Sequence, residues 1–183
     1  MELFDSRPEE IGFEKEIFDD GGWQNAKIKK YKDYNLIKSP IEPLEIYDIE
    51  PKTIKKTENG YFYDFGQETI GYLVVKAKGK RGDEIIIRQG EELNEDDTVR
   101  FDLRSNCRYE EKWILSGGED MLDQFDYKGF RYAELIVPET AGISDVKFRI
   151  KHYPFEQKAV YKLINADFDD IIKLCVNTIK YGT

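Results

Sequence analysis

Between Tyr109 and Pro138 the chain reads YEEKWILSGGEDMLDQFDYKGFRYAELIVP, and this stretch constrains the fold more than any other. Tyr109, Glu111, Trp113 and Leu115 fall on one face of an extended chain, and Glu110, Lys112 and Ile114 on the other. Gly117-Gly118 breaks the run, and a second aromatic-rich run returns from Phe125 to Val137. Period-two alternation, bulky rings and a glycine break describe paired strands of a half-buried sheet. The stretch holds no nucleophile, metal cluster or phosphate loop.

The same signal extends to both sides. Tyr61–Phe65 reads as a strand ended by Gly66, and Ile70–Lys78 as another ended by Gly79. Glu84–Gln89 follows, then a long polar excursion over Asn94–Asn106, and Ile143–Pro154 closes the set. Six or seven short strands with glycine turns predict a mainly β fold, an antiparallel two-sheet β-sandwich of jelly-roll or concanavalin-like type. The first 50 residues are irregular: short apolar pieces (Ile11, Phe13, Ile17, Phe18, Ala26, Ile28, Leu36, Ile37) lie between charged and turn residues. Asp19-Asp20-Gly21-Gly22-Trp23 is a turn that throws a large ring back onto apolar neighbours. Pro40, Pro43 and Pro51 then keep the chain extended.

The last segment changes period. Asp167 suits a helix cap, and Phe168, Ile171, Ile172, Cys175, Val176 and Ile179 recur at helical spacing before Gly182. Such a stripe has to bury against something. A sandwich offers it little room, so the expectation is a piece of a longer protein whose helix has left its partners elsewhere, or a homodimer formed through that helix.

Composition excludes several functions. Of 183 residues, 40% are hydrophobic and 14% aromatic, enough for a packed core. The net charge of -9 argues against nucleic acid and anionic membranes, which need a basic face. Cys107 and Cys175 are too few and too far apart for a disulfide framework, so two reduced thiols are expected. No signal peptide is visible, and no run approaches the roughly 18 apolar residues of a membrane span. A cytoplasmic protein is the expectation.

Candidate chemical groups are sparse. Glu91-Glu92 and Asp96-Asp97 are neighbours, but adjacent strand residues face opposite ways and cannot flank one bond. With 37 acids in the chain, such pairs arise by coincidence. Asn94-Glu95-Asp96-Asp97 lacks the spacing and glycine of an EF-hand loop and reads as a solvated acidic loop. His152 is the single histidine and has no ligand spacing around it, so it is expected at a surface or interface. No catalytic residue, metal site or cofactor is expected. Among the rings, Trp23, Trp113 and Tyr127 are the candidates for a sugar platform, with core packing as the competing role. Glu91 and Arg131, each beside a glycine at a strand end, could join as a carboxylate–guanidinium pair.

Taken together, Tyr63-Asp64-Phe65-Gly66-Gln67, Gly71, Gly90-Glu91, Trp113–Gly118 and Gly129-Phe130-Arg131-Tyr132 resemble, in order and spacing, the β-sandwich that precedes the catalytic domain of bacterial α-L-rhamnosidases, glycoside hydrolase family 78. The Asp19–Trp23 turn is similar to one in the upstream β module of that family. Phe168–Tyr181 is similar to the first helix of its (α/α)6 barrel. The resemblance implies three parts: residues 1–50 as the tail of an upstream β module, 51–157 as the accessory sandwich, and 158–183 as linker and first barrel helix. It implies a partner, the catalytic barrel of the same parent chain, which removes terminal rhamnose from glycosides with inversion. It also implies that the acids performing that hydrolysis lie outside these residues. Asp64, Gly66, Gly71, Glu91, Gly129, Phe130, Arg131 and Tyr132 are then structural motif residues. Rhamnose-containing glycosides are a further expected partner, and an independent carbohydrate-binding or interaction module is the alternative.

Overall fold

The computed structural model describes residues 2–7, 13, 15–30, 35–159 and 166–182. Nine strands and one helix follow in chain order: β1 Leu3–Asp5, β2 Glu45–Ile49, β3 Thr53–Thr57, β4 Gly60–Lys78, β5 Glu84–Gly90, β6 Glu110–Ile114, β7 Glu119–Asp123, β8 Lys128–Ile136, β9 Gly142–His152 and α1 Ala166–Tyr181. All nine strands belong to one sheet, ordered β1-β6-β5-β8-β4-β9-β2, with β3 and β7 also paired to β4. The fold is mainly β with a C-terminal helix, as expected, but the two layers are halves of one curled sheet. Every pairing is antiparallel except β1 with β6, which is parallel.

The 19-residue β4 makes this possible. Its first part, Gly60–Asp64, pairs with β3 on one edge and β8 on the other. Its last part, Val74–Lys78, pairs with β7 on one edge and β9 on the other. Between them the register with β8 jumps from Asp64 to Thr69. Gly66 therefore does not end a strand, as its glycine suggested; it bends one. At φ +85° it occupies backbone space that an L side chain rarely adopts. One further expectation needs correcting. The runs on either side of Gly117-Gly118 do not pair with each other: β6 lies between β1 and β5, and β8 between β5 and β4. After the glycines the chain instead forms β7, which crosses to the far part of β4.

The core lies inside the curl. Inward residues from both halves form one buried cluster, with Tyr63, Ile87, Trp113 and Leu135 on one side and Leu73, Val75, Leu122 and Ile150 on the other. Three rings close it at the bend. Phe130 of β8 stacks on Phe148 of β9, centroids 4.0 Å apart and planes 7° apart, and Phe65 meets both edge-on at 6.1 and 5.1 Å. On the outer surface Asp64 pins the bend. It accepts the Gly66 N–H at 2.6 Å and the Arg131 fork at 2.8 and 2.9 Å. The Arg131 guanidinium, helped by the Gly66 N–H, holds the Asp64 carboxyl below its ordinary value of 3.8, against a partial burial that pushes upward. Arg131 is thus matched with Asp64, and not with Glu91 as its glycine neighbour suggested, because the bulge turns Asp64 and Arg131 onto the same outward surface.

The segment before β2 is largely exposed, Ile17, Ile28, Leu36 and Ile37 included. The expected turn is present: Gly21 N–H donates to Asp19 Oδ1 at 3.0 Å and Trp23 N–H to the Asp20 carbonyl at 2.8 Å. Ile11, the residues 160–165 before α1 and the Asp167 side chain expected to cap it lie outside the described residues.

Two outcomes test this description. A Cβ at Gly71 would sit 2.0 Å from the Arg149 carbonyl oxygen of β9, so Gly71→Ala should cost at least about 2 kcal/mol in urea unfolding. Because the folded pKa of Asp64 is depressed, its contribution is complete above pH 3.8 and disappears as pH falls through the lower folded value. The stability deficit of Asp64→Asn should therefore be largest above about pH 5 and shrink steadily in more acidic unfolding curves.

Candidate functional site

Polar chemistry inside this fold collects at the bend of β4. The alternation that carries Trp113 inward carries Glu111 with it, and Glu111 is 1% exposed. A lone carboxylate there would be costly. The structure answers with Lys128 at the start of β8, whose ammonium is in direct ion contact with Glu111. Gln124 donates its side-chain N–H to the other Glu111 oxygen. The Gln124 side-chain oxygen in turn accepts the Leu73 N–H at 2.9 Å and the Gln89 amide at 3.2 Å. Glu2 lies 3.8 Å from the same lysine. Burial nonetheless pushes the Glu111 carboxyl up, with Lys128 opposing. This network ties β4, β5, β6, β8 and the residue before β1 together, and sequence reasoning did not single it out.

Beside it, Glu68 and Glu91 flank Gly129: their Oε1 atoms lie 3.9 and 3.8 Å from where a Cβ there would stand. Burial, followed by the charges of Glu91 and Glu92, raises the Glu68 carboxyl. Glu92 turns away to Arg100, at 2.5 Å, so the adjacent acids diverge, in the bend that follows β5. A cavity of about 370 Å3 follows, lined by Glu68, Thr69 and Gly129 from the sheet and by Leu174, Asn177 and Tyr181 from α1.

The helix docks here by its last turn. Tyr181 packs edge-on against the His152 ring at 5.4 Å, and Tyr47 meets the other partner surface of His152 at 5.7 Å. The two phenol oxygens are 3.3 Å apart. His152 is thus a buried sheet–helix contact, its Nδ1 2.7 Å from the Tyr153 carbonyl oxygen and its Nε2 3.5 Å from Glu45. Along the rest of the helix Phe168, Ile171 and Leu174 are 54–67% exposed, while Ile172 and Val176 are half-buried.

The ring candidates separate clearly. Trp113 is fully buried and donates its indole N–H to Ser6 Oγ at 2.8 Å, which makes it core and not a platform. Trp23 is 52% exposed and packs on Phe13 and Phe18 at 6.5 and 5.4 Å. Tyr127 is half exposed beneath Lys151, 5.7 Å away. The three do not form one surface. In the acidic loop, Asp96 accepts from the Thr98 N–H and hydroxyl at 3.2 and 2.6 Å, so it satisfies its own turn. Among the described residues no group of three or more His, Cys, Asp or Glu is placed to hold a metal ion. Cys107 and Cys175 are free and exposed. No described helix is long and apolar enough to cross a membrane.

The buried pair gives a direct test. Lys128→Met strands Glu111 in the core and should cost about 3 kcal/mol in urea unfolding. The double variant Lys128→Met with Glu111→Gln removes both charges, and should recover more than half of that loss.

Comparison with known proteins places this geometry. The model of the bacterial alpha-L-rhamnosidase concanavalin-like domain matches residues 54–149, from β3 into β9. An alpha-L-rhamnosidase of Streptomyces avermitilis is 25% identical over 174 residues, 90% of this chain but 17% of that protein. The solved alpha-L-rhamnosidase from Dictyoglumus thermophilum superposes with a TM-score of 0.81 at 25% identity, covering 98% of this chain and 21% of that one. The Streptomyces avermitilis enzyme complexed with L-rhamnose superposes at 0.73 with 22% identity, covering 98% and 18%. The chain thus spans about a fifth of the length of the relatives it matches. With over half its residues inside the family model, and with the Asp64–Arg131 bend and the Gly129-Phe130-Arg131-Tyr132 run in place, the chain belongs to the bacterial α-L-rhamnosidase concanavalin-like domain family.

Proposed function

We propose that this chain is the accessory, non-catalytic β domain of an α-L-rhamnosidase, a rigid body that braces a helical catalytic barrel of the same parent polypeptide. The observation that carries the reading is α1. Its last turn is seated on the sheet through Tyr181, His152 and Tyr47, while Phe168, Ile171 and Leu174 keep apolar surface exposed. A helix held by one end with its hydrophobic side open is shaped to receive further helices. The motif residues support the same role: Asp64, Gly66 and Arg131 shape the bend on which α1 rests, Gly71 permits the close approach of β9, and Phe130 fills the corner. In this reading residues 1–50 trail from an upstream β module, 51–157 form the bracing domain, and 158–183 lead into the barrel. Four of the acids described here are committed to other tasks: Glu111 to a buried lysine, Glu92 to Arg100, Asp64 to Arg131 and Asp96 to its own turn. The two free thiols suit a reducing compartment.

Incubating the purified chain with an aryl α-L-rhamnoside tests the non-catalytic part. No aglycone should be released, and turnover that disappears with Glu68→Gln or Glu91→Gln would refute it. A stable dimer in sedimentation that dissociates with Leu174→Asp would favour pairing between copies over the bracing role.

A further inference from the structure

Two acids at the bend are left without a counter-charge. Arg131 goes to Asp64, so Glu91 gains no guanidinium. Among the described residues neither Glu68 nor Glu91 has a hydrogen bond or an ion pair. Their Oε1 atoms nevertheless converge, 3.9 and 3.8 Å from the point where a Cβ of Gly129 would stand. Lys128, the residue before that glycine, is committed to the buried Glu111. The charges acting on Glu68, from Glu91 and Glu92, are both negative. Like charges held together cost free energy that an incoming cation would recover.

A second observation points into the same place. Thr69 stands opposite Phe130 in the strand register, turns inward and is 2% exposed, yet its hydroxyl oxygen has no hydrogen-bond partner. A buried hydroxyl without a partner is uncommon, because it forfeits its hydration. Thr69 lines the cavity of about 370 Å3 under α1, together with Glu68 and Gly129. On the helix side the hydroxyls are already engaged: Thr178 donates to the Leu174 carbonyl at 2.9 Å, and Tyr181 pairs with Tyr47. The Asn177 amide on that wall has no hydrogen bond among the described residues. Leu174, 67% exposed, adds an apolar wall.

These groups define the occupant. Carboxylates only accept, so the entering group must donate in several directions. A metal ion fits poorly, since among the described residues no three His, Cys, Asp or Glu side chains are placed to hold one. A lysine ammonium donates from one point, whereas a guanidinium spreads its N–H donors over a plane and reaches two carboxylates and a hydroxyl together. Its methylene stem suits the Leu174 wall. We infer that this notch between sheet and helix receives an arginine side chain of the catalytic barrel, its guanidinium held by Glu68, Glu91 and the Thr69 hydroxyl. The inference rests on the bracing role proposed above and names the polar contact that fixes where the barrel seats.

Amide shifts of the isotopically labelled chain, recorded at low ionic strength with n-butylguanidinium, n-butylammonium and the neutral n-butylurea, test it. Butylguanidinium should give saturable shifts at Glu68, Thr69, Gly129 and Asn177, with a dissociation constant on the order of 10 mM. Butylurea, of the same shape without the charge, and butylammonium should each bind at least about fivefold more weakly. Glu68→Gln and Glu91→Gln, both at exposed positions, should each weaken butylguanidinium about threefold. Thr69→Val should weaken it about twofold without lowering stability in urea. No saturation below about 50 mM, equal binding of the urea or the ammonium, or undiminished binding by the double Gln variant would overturn the inference. Failure here is distinct from failure of the bracing role. A chain that does not bind butylguanidinium but stays monomeric loses the arginine notch and keeps the brace. One that binds it yet forms the dimer dissociated by Leu174→Asp loses the barrel as the source of the arginine.

Discussion

Everything in this molecule depends on one strand bending without breaking. β4 supplies edges to four other strands, and the turn it makes between Asp64 and Thr69 converts one sheet into two facing layers. The bend is held from both sides. Inside, Phe65, Phe130 and Phe148 fill the corner; outside, Asp64 gathers the Gly66 amide and the Arg131 fork. Neither device suffices alone. Rings pack without regard to register, whereas a bidentate ion pair is directional and half-exposed, and contributes modestly by itself.

A second constraint follows from the curl. Closing the sheet brings the charged Glu111 inside, and Lys128, Gln124 and Gln89 must arrive from three other segments to satisfy it. Such networks cost stability relative to an apolar core of the same shape. They also fix which strands meet, since a slip of one residue in β6 or β8 would leave both charges unpaired. The network therefore acts as a register key for β5, β6 and β8.

The chain spans about a fifth of the length of its relatives, and the supporting role proposed for it rests on how α1 meets the sheet. The sheet carries the buried core, and α1, with Phe168, Ile171 and Leu174 exposed, meets it at the bend.

The amino-acid order by itself determined the element types. Period-two alternation from Tyr61 to Ile150 and period-3.6 spacing from Phe168 to Ile179 are local properties, legible because each strand or helix must bury one side. It also put Glu111 on the same face as Trp113 and Leu115, without showing what would satisfy its charge. β1, β2 and β7 escaped because three to five residues carry too little periodicity to stand out from loop. Only the tertiary structure decided that Gly66 bends a strand instead of ending it, that Arg131 meets Asp64 and not Glu91, and that Trp113 is core. The convergence of Glu68 and Glu91 on Gly129 was equally invisible, since β4, β8 and the bend after β5 must first be brought together. The physical reason is common to all of these: side-chain direction is set by neighbours in the chain, but which partner stands opposite is set by how the sheet closes.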